Sequence, residues 1–435
     1  MTLNLRNIGM FAIMAVMFAM VGVFNSWSTA LFILNFCLIS AVMSLGVNIQ
    51  WGYAGLLNVG IMGFVALGGM AAMLVSIPPV QGAISAGGSG ILFSAFLTAI
   101  AIVAIYLAYK KLSGGTRKLV ITSIAIVSFF IIRYYFDPAV DAIESYDSAG
   151  TGNLGGFNMP ILFGWLVGGL LAAGAAWLVG KISLGLRSDY LAIATLGISE
   201  IIIAVLKNED WLTRGVKNVN GLPRPFPVPY EVDIQKSPYW IDMAERWGVS
   251  VIELSSIIVK LSYAALFAIV LLIILYLSEK ALASPWGRMM RAIRDNETAA
   301  EAMGKNVTGR HLQVFILGSA VVGIAGAMLT TLDGLFTPTA YQPLRYTFLI
   351  WVMVIVGGSG NNWGAVLGGF VIGFFWIQAE PIGLWAMDVI TSGMAEDSGL
   401  REHLLKSAAH MRLMMMGVIL LLVLRFTPKG LIPEK

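Results

Sequence analysis

Residues 284–311 read SPWGRMMRAIRDNETAAEAMGKNVTGRH and form a charged island between long apolar runs. Arg288, Arg291 and Arg294 recur every third position, so on a helix they share a face, and Glu297 and Glu301 stand one turn apart. Ala299, Ala300, Ala302 and Met303 supply a compact apolar surface beside them, and Gly304 offers a helix stop. The chemistry open to such a set is recognition. Small side chains let a partner surface approach closely, and the flanking charges fix its register. An interfacial helix with arginines on lipid phosphates is the plainer reading of the same pattern.

Two further residues stand out because of where they lie. Glu200 falls inside an apolar run, where an acid costs about 2.5–3.5 kcal/mol on insertion scales. It shares a helical face with Gly197 and Ala204, which predicts that it points into a helix bundle. Lys260 lies at comparable depth in another run and could neutralise it, as a gate or as a structural ion pair. Glycines at 52, 55, 60, 63, 68 and 69 cluster in one apolar stretch, which fits either close helix packing or an interrupted, pathway-lining segment. His403 and His410 are seven apart with no third ligand nearby, a poor metal site, and the single Cys37 excludes a disulfide within one chain. No constellation for catalysis is visible, so the chain is not read as an enzyme, and no cofactor is expected.

The elements that position these residues are membrane spans. The chain has 435 residues, 58% hydrophobic and 12% charged, against about 25% charged in soluble domains. Candidate spans are 8–24, 27–49, 51–76, 90–109, 119–136, 161–180, 190–206, 250–277, 312–330, 346–360, 365–379 and 411–426, of which 51–76 and 346–379 are glycine-rich enough to be broken or re-entrant. The expected fold is an all-α polytopic membrane protein with nine to twelve spans. The first run follows Arg6, lacks a small-x-small cleavage site and is read as a retained helix. The connections 1–7, 110–118, 181–189, 278–311 and 425–435 carry sixteen Lys and Arg, and 77–89, 137–160 and 331–345 carry one. The positive-inside rule then places both termini and 278–311 in the cytoplasm. The segments 207–249 and 380–410 become external insertions, and Pro223, Pro225, Pro227 and Pro229 keep part of the first from being helical.

The words of the island add to this reading. GRMMRAIRDNETAAEAMGKNV resembles the cytoplasmic coupling segment of branched-chain amino-acid ABC transporter permeases of the LivM type, which reads near G-R-x-x-x-A-I-R-E-N-E-x-A-A-E-A-x-G-I-N-V; Asp295 and Lys305 are the departures. Trp51-Gly52-Tyr53-Ala54-Gly55 with Asn58-Val59-Gly60 resembles the family's G-Y-A-G-Q-L-S-L-G, with Leu56 and Asn58 where Gln and Ser are usual. Leu186 to Ile193, through Leu196-Gly197 to Glu200, resembles L-R-G-D-Y-L-A-I-V-T-L-G-x-x-E. Asn220-Gly221-Leu222-Pro223-Arg224-Pro225 resembles a compressed N-G-I-x-G-I-P-R-P, and Gly357 to Gly368 resembles G-G-x-G-x-x-W-G-P-V-L-G. The motifs fall in the family's order and cover about residues 30–430.

The resemblance implies an importer permease fold, a single transmembrane domain over 1–435 with some helices interrupted. It implies a bacterial inner-membrane location and four kinds of neighbour: a second homologous permease, two cytosolic ATPase subunits, a periplasmic substrate-binding protein and the bilayer. No Walker A pattern occurs in the chain, so ATP hydrolysis has to come from such partners. Arg291, Arg294, Glu297, Ala299, Ala300, Glu301 and Gly304 would couple to the ATPase. Tyr53, Asn58, Gly60, Thr195, Glu200 and Lys260 would belong to the pathway. The implied cargo is a branched-chain or related neutral amino acid. Urea or short amides are the nearest alternative, and an ion-coupled secondary transporter a more distant one.

Overall fold

The computed structural model describes residues 5–394 and 398–434. Residues 395–397, inside the 380–410 segment, and the chain ends at 1–4 and 435 lie outside the described residues. The helices are α1 (Leu5–Phe24), α2 (Trp27–Ala54), α3 (Ile61–Ser76), α4 (Gln81–Lys111, with a π-helical turn at Ile84–Gly88), α5 (Gly114–Ser145), α6 (Ile161–Ser183) and α7 (Ser188–Asn208). They continue as α8 (Val251–Ala283), α9 (Pro285–Asp295), α10 (Glu297–Ala302), α11 (Val307–Asp333), α12 (Pro343–Gly357), α13 (Asn362–Thr391), α14 (Gly399–Ser407) and α15 (Met411–Phe426). Among the described residues, nine helices are long and apolar enough to cross a membrane, and α14 with α15 forms a bent pair that would make a tenth. Helices α3 and α12 are shorter apolar pieces. The protein is an all-α, multi-pass membrane protein.

The centre is built from α2, α3, α6, α11 and α13, with α8 packed along α2 and α7 along α3. Small residues set how closely these helices approach, as expected where lipid offers no hydrophobic drive between helices. A Cβ on Gly68 of α3 would enter the Gly323 carbonyl of α11, and a Cβ on Gly323 would enter that of Gly168 on α6. Helices α4 and α5 pack on each other outside this centre and leave most of their apolar surface uncovered.

Several helix limits differ from the sequence reading, each for a local reason. Helix α2 runs on through Gly52 to Ala54; the interruption comes at Gly55, whose left-handed φ of 68° caps the helix with bonds to Gln50 O and Trp51 O. The break therefore spans 55–60 instead of opening a span at 51. Pro138 and Pro381 lie inside α5 and α13, which continue to Ser145 and Thr391. A membrane helix tolerates the one lost backbone bond, so 137–160 and 380–410 begin as helix. Only Leu112 and Ser113 separate α4 from α5, so 110–118 is not an open loop. The charged loop likewise shrinks from 278–311 to 284–306.

The segment 207–249 is ordered. It carries three short helices, Asp210–Thr213, Glu231–Lys236 and Pro238–Trp247, the last opening on a proline at its first turn. Its strand β1 (Val219–Asn220) pairs antiparallel with β2 (Leu335–Phe336), in the register Val219↔Phe336. An Arg224–Glu231 ion pair and a Gln235–Ser255 hydrogen bond of 2.9 Å tie it to itself and to the start of α8.

Candidate functional site

The charged island folds as two helices. Ser284 caps α9 by accepting from Gly287 N, and Pro285 occupies the first turn. Asn296 then leaves the helix with an extended backbone and caps α10 through Ala299 N at 3.0 Å. Gly287, Met290 and Ile293, at steps of three, are the inward stripe of α9, and Met290 and Ile293 join the main core. Ala300 also turns inward and is buried, which removes it from the outward surface expected of it. Glu297, Ala299, Glu301 and Gly304 remain exposed, Gly304 in the left-handed conformation with φ 76°. Met303 stands 79% exposed at the tip. The island is thus a short projecting knob with a seated base.

Arg294 is the seat. Its Nη1 donates to the Gly52 carbonyl at the end of α2 and to Glu434 Oε2 at 2.8 Å, and its Nε lies 3.2 Å from Asp295 Oδ1. Burial opposes the charge, but the Glu434 and Asp295 carboxylates outweigh it and hold the guanidinium above its ordinary pKa. Arg291 is half-buried and makes no ion pair among the described residues.

Glu434 arrives on a strap that follows α15. Leu431 N and Ile432 N donate to Val356 O and Gly357 O, both at 2.9 Å, and Asn361 Nδ2 donates to Pro433 O at 3.0 Å. The strap therefore closes over the turn 358–361 between α12 and α13. A Cβ on Gly360 would run into the Glu434 carboxylate and press on Arg294.

Above this seat the two helix interruptions meet. Asn362 Oδ1 accepts from the Tyr53 hydroxyl and from Asn48 Nδ2 at 3.1 Å, while its Nδ2 donates to Glu279 Oε1 at 3.0 Å. Asn48 Oδ1 in turn accepts from Gly360 N at 2.8 Å. One polar network thus joins α2, α8, the α12–α13 turn at Gly360 and the first residue of α13. Its strength comes from full satisfaction in a low-dielectric interior.

The 55–60 break is held the same way. Asn58 donates to Gln50 Oε1 at 2.9 Å, accepts from Gly60 N at 2.9 Å, and its carbonyl takes the Trp351 indole at 3.0 Å. Thr195 of α7 accepts from Val59 N at 3.1 Å, and a Cβ on Gly60 would enter the Thr195 carbonyl. Asn58, Gly60 and Thr195 come together at the break while Tyr53 belongs to the Asn362 network, and the polar groups of all four are spent on these structural bonds.

Glu200 and Lys260 do not join them. Glu200 is exposed on α7, on one face with Gly197 and Ala204, and that face looks away from the bundle while Leu191, Thr195, Ser199 and Ile203 face α3. The expectation of an inward acid is overturned because α7 buries the opposite stripe. Lys260 donates to Ser28 Oγ at 2.6 Å and Ser28 O at 3.2 Å on the first turn of α2, and no Glu200–Lys260 pair exists among the described residues. Sequence reasoning missed Asn48, Glu279, Asn362 and Glu434. Only Asn48, a polar residue inside an apolar run, carried a visible signal.

The chain is thus a multi-pass membrane bundle with two mutually braced helix interruptions and a projecting charged knob. The family described as branched-chain amino acid transport system / permease component matches residues 145–424, and the chain belongs to it. The high-affinity branched-chain amino acid transport system permease protein LivM of Salmonella typhimurium is 26% identical over 267 residues, 61% of this chain and 56% of that protein. The probable LivM permease of Methanocaldococcus jannaschii is 25% identical over 316 residues, covering 70% of this chain and 79% of its own length. LivH of Escherichia coli is 25% identical over 224 residues, 49% of this chain and 66% of that protein. The chain spans little more than half the length of the Salmonella and Escherichia LivM proteins. No solved structure matches.

Proposed function

We propose that this chain is one of two permease subunits of an ATP-driven importer that carries branched-chain or related neutral amino acids across a bacterial inner membrane. The observation that carries the reading is the knob at Ala299–Gly304, exposed at its tip and tied at its base through Arg294 to the end of α2 and the α12–α13 turn. Two cytosolic ATPase subunits would close on ATP, one taking the knob in a surface groove. The push passes through α9 into Arg294 and shifts Gly52 and Gly360 together, so both interruptions respond to one input. The segment 278–311 and both termini then lie in the cytoplasm. A binding protein delivers substrate to the opposite side, where 207–249 and 380–410 lie.

The exposed Glu200 supports a second permease against α7. A carboxylate facing lipid in a span costs about 2.5–3.5 kcal/mol on insertion scales, whereas a partner's donors or a wet passage between subunits removes that cost. Glu200, Gly197 and Ala204 would then line the pathway from this subunit. Tyr53, Asn58, Gly60 and Thr195 shape it by holding the break.

Co-purification with the products of neighbouring genes tests the reading. The expected result is a complex containing ATPase subunits whose activity rises with leucine-loaded binding protein and not with urea-loaded binding protein. A chain that purifies alone and moves solute without ATP sinks it.

A further inference from the structure

At the end of the bundle opposite the knob, a cavity of about 450 Å³ opens between α2, α11, α12 and α13. Helix α11 spans 27 residues from the knob to Asp333, roughly 40 Å at 1.5 Å per residue. We propose that this cavity binds a small ligand bearing an ammonium beside an anionic group and an apolar tail, with Asp333 taking the ammonium.

Three polar groups of the lining lack partners among the described residues. Asp333 closes α11, where its charge opposes the negative end of the helix dipole, and its carboxylate makes no hydrogen bond or ion pair. It is open to solvent at the cavity mouth, held there by the left-handed Gly334 and the β1–β2 pairing that follows. Thr337 Oγ1 and Arg412 Nε are buried with no partner. Arg412 is otherwise fixed, donating to Glu380 Oε2 at 2.9 Å and stacking over Trp376 at 5.1 Å. One acceptor and two donors are complementary to an ammonium and a carboxylate. A buried polar group left unmade costs about 1–3 kcal/mol, so a ligand anion that satisfies Thr337 and Arg412 gains from both, while Asp333 at the mouth supplies the charge for the ammonium.

Deeper in, the lining includes Met43, Met62 and Met353, all buried. Flexible thioethers accept apolar side chains of differing branching. The volume lies at the small end of ligand pockets, about 300–1,000 Å³. The choice of an amino acid as the ligand rests on the importer reading; a zwitterionic lipid headgroup offers the same ammonium chemistry, and the experiment separates the two.

The test uses the full chain with Ala340→Cys at the mouth, since native Cys37 is buried. Maleimide labelling is timed in nanodiscs of phosphatidylglycerol alone, with leucine, leucinol or 4-methylpentanoate added. Leucine and leucinol are expected to slow labelling and 4-methylpentanoate is not. Asp333→Asn should raise the half-protecting leucine concentration about tenfold or more, and Asp333→Glu should preserve protection. Unchanged elution and an unchanged ligand-free rate show that Asp333→Asn is folded. Slow labelling that instead requires phosphatidylethanolamine, and is relieved by Asp333→Asn, assigns the ammonium to lipid. Protection by 4-methylpentanoate equal to that by leucine, or no protection in either disc, overturns the site. No ATPase is present, so the outcomes separate: ATP-driven uptake without protection leaves the importer reading standing, and protection without uptake leaves the site standing.

Discussion

Replacing Glu434 by Gln keeps an acceptor oxygen beside Arg294 and removes only the charge. Both side chains are about a quarter exposed, 24% for Arg294 and 26% for Glu434. The pair therefore sits between an exposed bridge, worth about 0.2–1 kcal/mol, and a buried one, whose disruption costs about 3–5 kcal/mol. A value of about 1–2 kcal/mol follows for E434Q. That is small against a total stability of about 5–15 kcal/mol, so the variant folds. Read as a shift in whether the strap holds the seat, it corresponds to roughly five- to thirtyfold. Arg294→Lys tests the other side. A lysine keeps the charge but has one nitrogen where Arg294 uses two, Nη1 for Gly52 O and Glu434 and Nε for Asp295, on a stem too compact to hold all three. The assay is ATPase activity of the assembled complex with and without loaded binding protein. The expected result is near-normal basal hydrolysis with a stimulated-to-basal ratio lowered several-fold in both variants. A double exchange, Arg294→Glu with Glu434→Arg, should not restore the ratio, because it sets a carboxylate against the Gly52 carbonyl. Wild-type ratios in E434Q and R294K at equal folded yield would refute the reasoning.

Other outcomes follow from the same packing. Gly68→Ala places a methyl against the Gly323 backbone and should lower the thermal midpoint, by about 1–3 kcal/mol in stability, whereas Gly417→Ala, with open space around it, should be neutral in the same melt. Asn362→Leu strips partners from Tyr53, Asn48 and Glu279 together and should cost about 2–4 kcal/mol, read as loss of monodisperse protein in size exclusion. Glu200→Gln should leave the isolated chain as stable as before while reducing uptake by the complex. An equal fall in both would return Glu200 to a structural role.

Much of the bundle was legible because spans are written as long apolar runs, and the broken segments showed themselves by their glycines. The breaks themselves were not legible to the residue: Gly52 and Gly55 look alike in sequence, and only the capping bonds from Gly55 decide which one ends α2. Pro138 and Pro381 stay inside α5 and α13, beyond the spans 119–136 and 365–379, because the cost of a proline in a helix is relaxed where neighbouring helices take up the freed backbone group. Glu200 could be placed on a face with Gly197 and Ala204, but which face α7 turns to α3 is decided by packing. Arg294 was visible as part of a pattern. Its partner Glu434 lies 140 residues away in sequence, and nothing local marks it.

The central claim is that the exposed tip of α10 meets an ATPase. It is tested most directly by introducing cysteine at Ala299 or Met303 in the assembled complex and at positions along the ATPase surface groove, then inducing disulfides with and without ATP. Crosslinks to the ATPase from both positions, with yields that change on ATP binding, are the expected result. Crosslinks that form only to the second permease, or none in a complex that still hydrolyses ATP, would contradict it.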